Sequence, residues 1–134
     1  MSNLKDFQIE SGVLIKYSGE ELTVSIPDCV VELSDFCFAG INMEEVIVPF
    51  TVEKISEVAF DKTQNLKRIV VDGANTTYCS VDGCLYSKDK KRFILSPNRT
   101  DTLNIAEGCE VISPYAFFQR NVAGIVFPKT LKCF

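Results

Sequence analysis

The feature that most constrains this chain is an internal repeat of about 22 residues. Short apolar stretches recur, and in three of five cases a proline follows directly. The residues that follow these stretches are Pro27, Pro49, Asp72, Ala106 and Pro128, separated by steps of 22, 23, 34 and 22 residues. Self-similarity at such a period is typical of solenoids. The 134 residues therefore predict one domain of four and a half stacked units, one of which carries an insertion.

Apolar residues keep fixed distances from the proline position of each unit. In the second unit they are Val46, Val52 and Ile55, and an Ala59-Phe60 step follows. The alternation before the proline predicts a short strand with one buried face. Proline ends the strand because it fixes φ and lacks an amide donor. One unit cannot bury its own apolar face, so stacked units should share a continuous core.

This unit resembles the BspA-type leucine-rich repeat. The residues that carry the resemblance are 24–27 with Val30, Leu33 and Phe38; 46–49 with Val52, Ile55 and Ala59-Phe60; and 105–112 with Ala116-Phe117. It extends over nearly everything from Gly12 onward. The resemblance implies a mainly β, right-handed repeat solenoid of short strands, turns and short or 3-10 helical segments. Because this bacterial family contains many surface and adhesive proteins, it also implies a protein-binding module at the cell surface or secreted.

Three units depart from the pattern. The third has Asp72 in place of proline, Tyr78 in place of a branched aliphatic residue and Gly83 where phenylalanine is expected, and the fourth has Ala106 in place of proline. The last unit stops at Phe134, before its Ala-Phe step. An open solenoid end normally needs a polar cap, so this end is expected to be irregular.

The insertion, residues 75–97, predicts a β-hairpin with a charged tip at residues 87–92. Asp82-Gly83 within it indicates a tight turn. A similar segment, residues 11–19, precedes the first unit and predicts a strand pair that covers the first coil. The expected organisation is a cap (1–21), regular units (22–71), an irregular unit with the hairpin (72–99) and further units, the last truncated (100–134).

The composition argues against histidine-dependent catalysis, imidazole metal sites and nucleic acid binding. The chain has no histidine, which excludes Ser-His and Cys-His nucleophile pairs and imidazole metal ligands. A net charge of −4, with one short basic cluster at residues 88–92, is unfavourable for nucleic acid binding. A carboxylate pair such as Asp82 with Asp89 stays open, although 18 acidic residues will pair by chance. We expect no enzyme and no cofactor.

The six cysteines fit the repeat better than a disulfide framework. Cys37 and Cys109 occupy core positions as small hydrophobic residues, whereas Cys29 and Cys133 are expected to be accessible. Cys79 and Cys84 could form half of a zinc site, but no matching second half follows.

Targeting signals are few. Asn75 and Asn98 begin glycosylation sequons, which would matter only in a secreted eukaryotic protein. No apolar run is long enough to span a membrane, and residues 1–10 do not form a signal peptide. Localisation therefore stays open between the cytoplasm, as the chain stands, and the cell surface, as the resemblance implies.

Residues between buried strand positions point outward and form two ladders across the coils. One ladder is Thr23, Glu45, Arg68, Thr102 and Gly124; the other is Ser25, Ile47, Val70, Asn104 and Val126. The candidate binding face consists of Glu45, Ile47, Arg68, Val70, Asn104 and Val126. Its apolar members can be explained in two ways: as an exposed apolar surface that binds a partner, or as the general preference of β-branched residues for strands.

Three functional hypotheses follow. The first is a binding module for an unidentified protein, using the strand face or the hairpin. The second is a structural fragment that self-associates through an apolar end formed by Phe127, Leu131 and Phe134. The third, a hydrolase, is disfavoured by the absent histidine.

Overall fold

Short strands follow one another along the chain, two to a regular coil, in the computed structural model, which describes residues 4–132. A 3-10 turn, Leu4–Asp6, comes first. The strands are β1 (Phe7–Glu10), β2 (Val13–Tyr17), β3 (Thr23–Ser25), β4 (Glu32–Leu33), β5 (Glu45–Val48), β6 (Lys54–Ile55), β7 (Arg68–Val71), β8 (Tyr78–Val81), β9 (Cys84–Ser87), β10 (Arg92–Leu95), β11 (Thr102–Asn104), β12 (Val111–Ile112) and β13 (Gly124–Val126). The mainly β solenoid of about five turns confirms the predicted fold class.

The first strand of each regular coil stacks in a parallel sheet of order β3-β5-β7. Its register pairs Val24 with Val46 and Val46 with Ile69, and all three side chains are fully buried. The strands are short because a turn-forming residue follows each one: β5 ends directly before Pro49, as the repeat predicts.

The second strand of each coil forms another sheet, of order β1-β2-β4-β6, in which Leu14, Leu33 and Ile55 lie in one row. The predicted N-terminal strand pair is present as the β1–β2 hairpin. Its turn is Ser11-Gly12, where both residues have positive φ, as a two-residue hairpin turn requires. The strand β2 extends the second sheet, so the hairpin covers the edge of the first coil.

The predicted inserted hairpin is present and extends to a third strand. Strands β8, β9 and β10 form an antiparallel meander, and Asp82-Gly83 makes the tight turn between the first two, again with positive φ at both positions. The last strand, β10, pairs in parallel with β12 through Phe93 and Ile112. Phe93, and not Tyr78 as the repeat alignment suggested, therefore fills the second-strand position of the third coil.

The middle strand of the meander divides the core in two. Cys84, Leu85 and Tyr86 are consecutive and all fully buried, so β9 has no solvent-facing side along these residues. Leu85 packs into the larger cluster, which extends back to the N-terminal hairpin. Cys84 and Tyr86 pack into a smaller cluster with the C-terminal coils. The insertion is thus a wedge between two parts of the solenoid.

Side-chain hydroxyls bond the backbone donors that the wedge leaves without a strand partner. The amide of Ile55 donates to the hydroxyl of Tyr78 (2.9 Å), that of Val71 to Ser80 (2.9 Å), and that of Ala106 to Tyr86 (3.1 Å). Since a buried amide without a partner costs about 1–3 kcal/mol, these bonds let the meander interrupt the regular ladder.

Candidate functional site

The outward ladders are regular across the first three coils. Glu45 lies between Thr23 and Arg68, and Ile47 lies between Ser25 and Val70, as the sequence predicts. The Arg68 guanidinium donates from Nε to Glu45 at 2.8 Å. This exposed ion pair contributes about 0–1 kcal/mol to stability, so its main effect is to fix two charges side by side on the face.

Ile47 and Val70 form an apolar pair beside that ion pair. Both are half-buried, in contrast with the fully buried Val46 and Ile69 that point into the core. The face therefore has an apolar centre next to charged groups, the arrangement found in protein interfaces.

The predicted ladders do not continue through all five coils. β11 pairs with β13 in a separate two-stranded sheet, and neither is bonded to β7. Asn104 and Val126 are therefore neighbours of each other, but the meander separates them from Ile47 and Val70. The sequence missed this break because the alignment compares repeat positions and carries no information on which strands pair.

We call this break between β7 and β11 the seam. A cleft of about 780 Å³ lies beside it. It is lined by Gln64, Asn65, Lys67, Arg68, Asp82, Gly83, Asn98, Arg99, Thr100, Asp101 and Asn121. The repeat pattern does not indicate this cleft, because its walls come from segments on both sides of the insertion and from the insertion itself.

Arg99 ties the meander to β11 at one wall of the seam. Its side chain is only 10% exposed, and Nη2 donates to both Asp82 (2.8 Å) and Asp101 (3.2 Å). Nη1 donates to the backbone carbonyl of Asp82 (2.7 Å). The hydrogen bond from Arg99 lowers the pKa of the Asp101 carboxyl below its usual value.

The two carboxylates considered as a catalytic pair lie apart. Asp82 is in the β8–β9 turn beside Arg99, whereas Asp89 is in the β9–β10 turn, at the other end of β9. Asp89 accepts hydrogen bonds from the Ser87 hydroxyl (2.8 Å) and the Lys91 amide (3.0 Å), which stabilise the turn of the basic cluster. That cluster is the exposed hairpin tip that the sequence predicts.

Cysteine placement follows the repeat. Cys37 and Cys109 are fully buried and Cys29 is exposed, while Cys133 lies outside the described residues. Burial raises the pKa of the Cys37 thiol to about 12, so it stays protonated at neutral pH. The five described cysteines are free thiols, and residues 4–132 contain no group of acidic and cysteine side chains suited to a metal ion.

Asn75, the first residue of a predicted sequon, is a structural residue. Its side chain is buried and donates to the carbonyls of Pro49 and Val52 (both 3.0 Å). It also accepts from the amides of Thr77 and Tyr78 (both 2.8 Å). The side chain thus joins the second coil to the start of the meander and is not accessible to a glycosyltransferase.

Several turns carry exposed aromatic residues that the repeat pattern does not indicate. Phe36 and Phe118 are about half exposed. Tyr115 packs edge-to-face against Phe118, with 5.6 Å between the ring centroids.

Within the described residues, no helix has the length and apolar character needed to cross a membrane.

A protein-family model matches almost the whole chain. The family described as "BspA type Leucine rich repeat region" matches residues 8–134 in six copies. The match begins inside β1, so it includes the N-terminal hairpin as well as the five aligned units. No curated protein gives a significant match.

Three solved structures are similar to this chain. The first is a leucine-rich repeat protein from Eubacterium ventriosum, with a TM-score of 0.74 and 20% identity over 83% of this chain and 31% of that one. The second, the pneumococcal vaccine antigen PcpA, has a TM-score of 0.64 and 18% identity over 84% and 35%. The third is a leucine-rich cell surface protein from Faecalibacterium prausnitzii. It has a TM-score of 0.65 and 24% identity over 85% of this chain and 38% of that one. The chain therefore spans about a third of the length of these relatives, and the likeness shows the fold.

Proposed function

The chain belongs to the BspA-type leucine-rich repeat family, and from that premise we propose that it binds a protein partner through the outer face of β3, β5 and β7. Members of this repeat family typically mediate protein–protein interaction or adhesion. One structural relative is described as a cell surface protein, which supports a location at the cell surface or outside the cell.

The observation that carries the proposal is the Ile47–Val70 pair beside the Glu45–Arg68 ion pair. Apolar residues at the centre of an interface contribute most of the binding energy once water is excluded, and charged neighbours select the orientation of the partner. Asn104 and Val126 belong to the second ladder and would extend the contact past the seam.

The test uses a panel of immobilised extracellular-matrix proteins and biolayer interferometry with the full chain. We expect at least one of them to bind, and the double variant Ile47→Ser/Val70→Ser to weaken that binding about tenfold or more. Val31→Ser is the matched control, because Val31 is 40% exposed and lies outside the face. No binding, or equal binding by the double variant and the wild type, would refute the proposal.

A second candidate function, self-association, rests on the last coil. Val126 is 52% exposed and Phe127 45% exposed, and β13 pairs on one side only within the described residues. Leu131 is half-buried nearby, and Phe134 lies outside the described residues. An edge strand beside exposed apolar groups can pair with a second chain.

Multi-angle light scattering over a concentration series separates the two candidates. Self-association predicts a dimer whose population falls in Val126→Lys, a change that places a charge on the edge strand. A strict monomer at high concentration removes this candidate and leaves the binding proposal untouched. No catalytic site is proposed, because the structure does not bring the suspected carboxylates together.

A further inference from the structure

The seam leaves one edge of β11 without a strand neighbour in the described part of the chain. In the regular coils, the amide of Glu45 donates to the Leu22 carbonyl (3.0 Å) and that of Arg68 to the Glu44 carbonyl (3.1 Å). Thr102 occupies the same repeat position but makes no such bond to the coil before it among residues 4–132.

Backbone direction shows which groups face the seam. Ile105 donates to the Val126 carbonyl on the β13 side (3.0 Å), and Ala106 donates to Tyr86 on the opposite side. Because successive residues of a parallel strand direct their backbone groups to opposite neighbours, Thr102 and Asn104 direct theirs towards the seam. Both residues are exposed. They therefore present two N–H and two C=O groups at the spacing of a strand edge.

The adjoining cleft has the size of a ligand site and a polar lining. Its volume of about 780 Å³ is within the range of small-ligand pockets. Gln64 and Asn65 are exposed there, and their side-chain amides can bond to a peptide backbone.

One wall of the cleft, formed by Asp82 and Asp101, favours a basic side chain. Asp82 and Asp101 share one nearly buried guanidinium, so this wall carries a net charge of −1, with carboxylates 59% and 69% exposed. On the opposite wall, Lys67 and Arg68 are each paired with a glutamate. The negative charge at the cleft is therefore local to the wall formed by Asp82 and Asp101.

We infer that the seam binds an extended peptide segment of a protein partner, which adds as a strand to the free edge of β11 and places a lysine or arginine beside Asp82 and Asp101. Strand addition of this kind obtains affinity from main-chain hydrogen bonds and specificity from alternate side chains. Arg68 borders both this site and the Ile47–Val70 face, but the main contacts of the peptide are with backbone groups of β11.

The probe for this inference is the peptide acetyl-Val-Lys-Val-Lys-Val-amide, titrated into the ¹⁵N-labelled full chain and followed by NMR. We expect the largest shifts at the amides of Thr102 and Asn104. The same peptide with lysine replaced by glutamate should bind about fivefold more weakly or worse, since it meets like charges. A peptide N-methylated at alternate residues should bind with about tenfold lower affinity, because it lacks the amide donors for strand pairing.

Two substitutions at one position provide the matched control in the protein. Asn104→Pro removes the backbone N–H donor and should lower the affinity for the peptide about fivefold. Asn104→Ala keeps that donor and should bind the peptide like the wild type. Edge strands tolerate proline, and circular dichroism would check the fold. The double variant Ile47→Ser/Val70→Ser should leave peptide binding unchanged, which separates this site from the outer face.

The inference is wrong if the lysine peptide does not bind, if it shifts the amides around Ile47 and Val70 instead, or if the N-methylated peptide binds equally well. The peptide comparison needs no protein variant, so it decides the question even if Asn104→Pro fails to fold.

Discussion

At the scale of single residues, a few polar side chains hold together the places where the repeat is broken. Asn75 makes four hydrogen bonds between the second coil and the meander, and Arg99 joins the β8–β9 turn to Asp101. Asn75 occupies the repeat position that Val52 has in the second unit, so a polar side chain replaces an apolar one where the repeat is interrupted. Asn and Arg are mostly surface residues, but these two are expected to contribute substantially to stability.

Asn75→Ala should lower the free energy of unfolding by about 3 kcal/mol, because it leaves two buried carbonyls and two amides without their side-chain partner. Urea unfolding followed by circular dichroism measures this change. Asn65→Ala, at an exposed position, is the control and should change stability by about 0.5 kcal/mol or less. Equal effects of the two substitutions would show that Asn75 is not a structural bridge.

The Arg99–Asp101 contact gives stability an acid dependence. The folded-state pKa of Asp101 is depressed, so its contribution is present above the unfolded pKa of about 3.9 and is lost as pH falls through the lower folded pKa. Asp101→Asn should therefore lower Tm at about pH 7, and the difference from wild type should shrink by about pH 2. Thermal unfolding at several pH values tests this, with the exposed Glu53→Gln as the control. A difference that persists in acid would contradict it.

At the scale of elements, the meander depends on one turn. Gly83 has φ of +78°, and a Cβ at this position would approach Arg68 Cγ at 3.2 Å. Its conformation is one that residues other than glycine adopt at a cost of about 1–2 kcal/mol. The turn also supplies the Gly83 carbonyl, which accepts from the amide of Ile69 in β7 (2.9 Å).

Gly83→Ala should destabilise the protein by about 2 kcal/mol, measured by urea unfolding. Gly73→Ala is the matched control, because Gly73 has no positive φ and open space around its Cα. We expect that change to be neutral or slightly stabilising, since alanine reduces the entropy of the unfolded chain. If both substitutions gave the same result, the tight turn would not have the geometry described here.

The sequence predicted the recurring elements and the two hairpins, but not how the inserted strands pair with the neighbouring coils. The positions of Val24, Val46 and Ile69 follow from the 22-residue period, because identical offsets produce identical pairing. The parallel pairing of β10 with β12 did not follow, since Phe93 reaches the second-strand position only through an antiparallel turn with no counterpart in other units. Likewise, Arg99 and Asp82 are 17 residues apart, and no local pattern indicates their contact.

At the scale of the whole molecule, the wedge is bridged by contacts that span it. Arg120, in the fourth coil, donates to the carbonyls of Thr63 (2.8 Å) and Phe60 (2.9 Å) in the second coil. Burial lowers the pKa of its guanidinium, although the Asp61 charge opposes that effect. The third coil lacks the Ala-Phe step, and Arg120 links the second coil directly to the fourth.

Arg120→Met should lower the free energy of unfolding by about 2 kcal/mol, because it keeps the apolar stem but leaves two carbonyls without a charged donor. Arg92→Met is the control, since Arg92 is exposed and has one long contact, 3.4 Å, to Ser113. Denaturant unfolding of both variants tests the bridge. A neutral Arg120→Met would mean that the apolar core alone holds the two parts together.

The meander separates the β3-β5-β7 sheet from the β11-β13 sheet, so the leucine-rich repeat solenoid has a break between β7 and β11. Hydrogen–deuterium exchange at single-residue resolution tests it most directly, because Glu45, Arg68 and Thr102 share one repeat position. The split predicts slow exchange at the bonded amides of Glu45 and Arg68 and fast exchange at Thr102. Exchange at Thr102 as slow as at the other two would show an unbroken sheet and contradict the account.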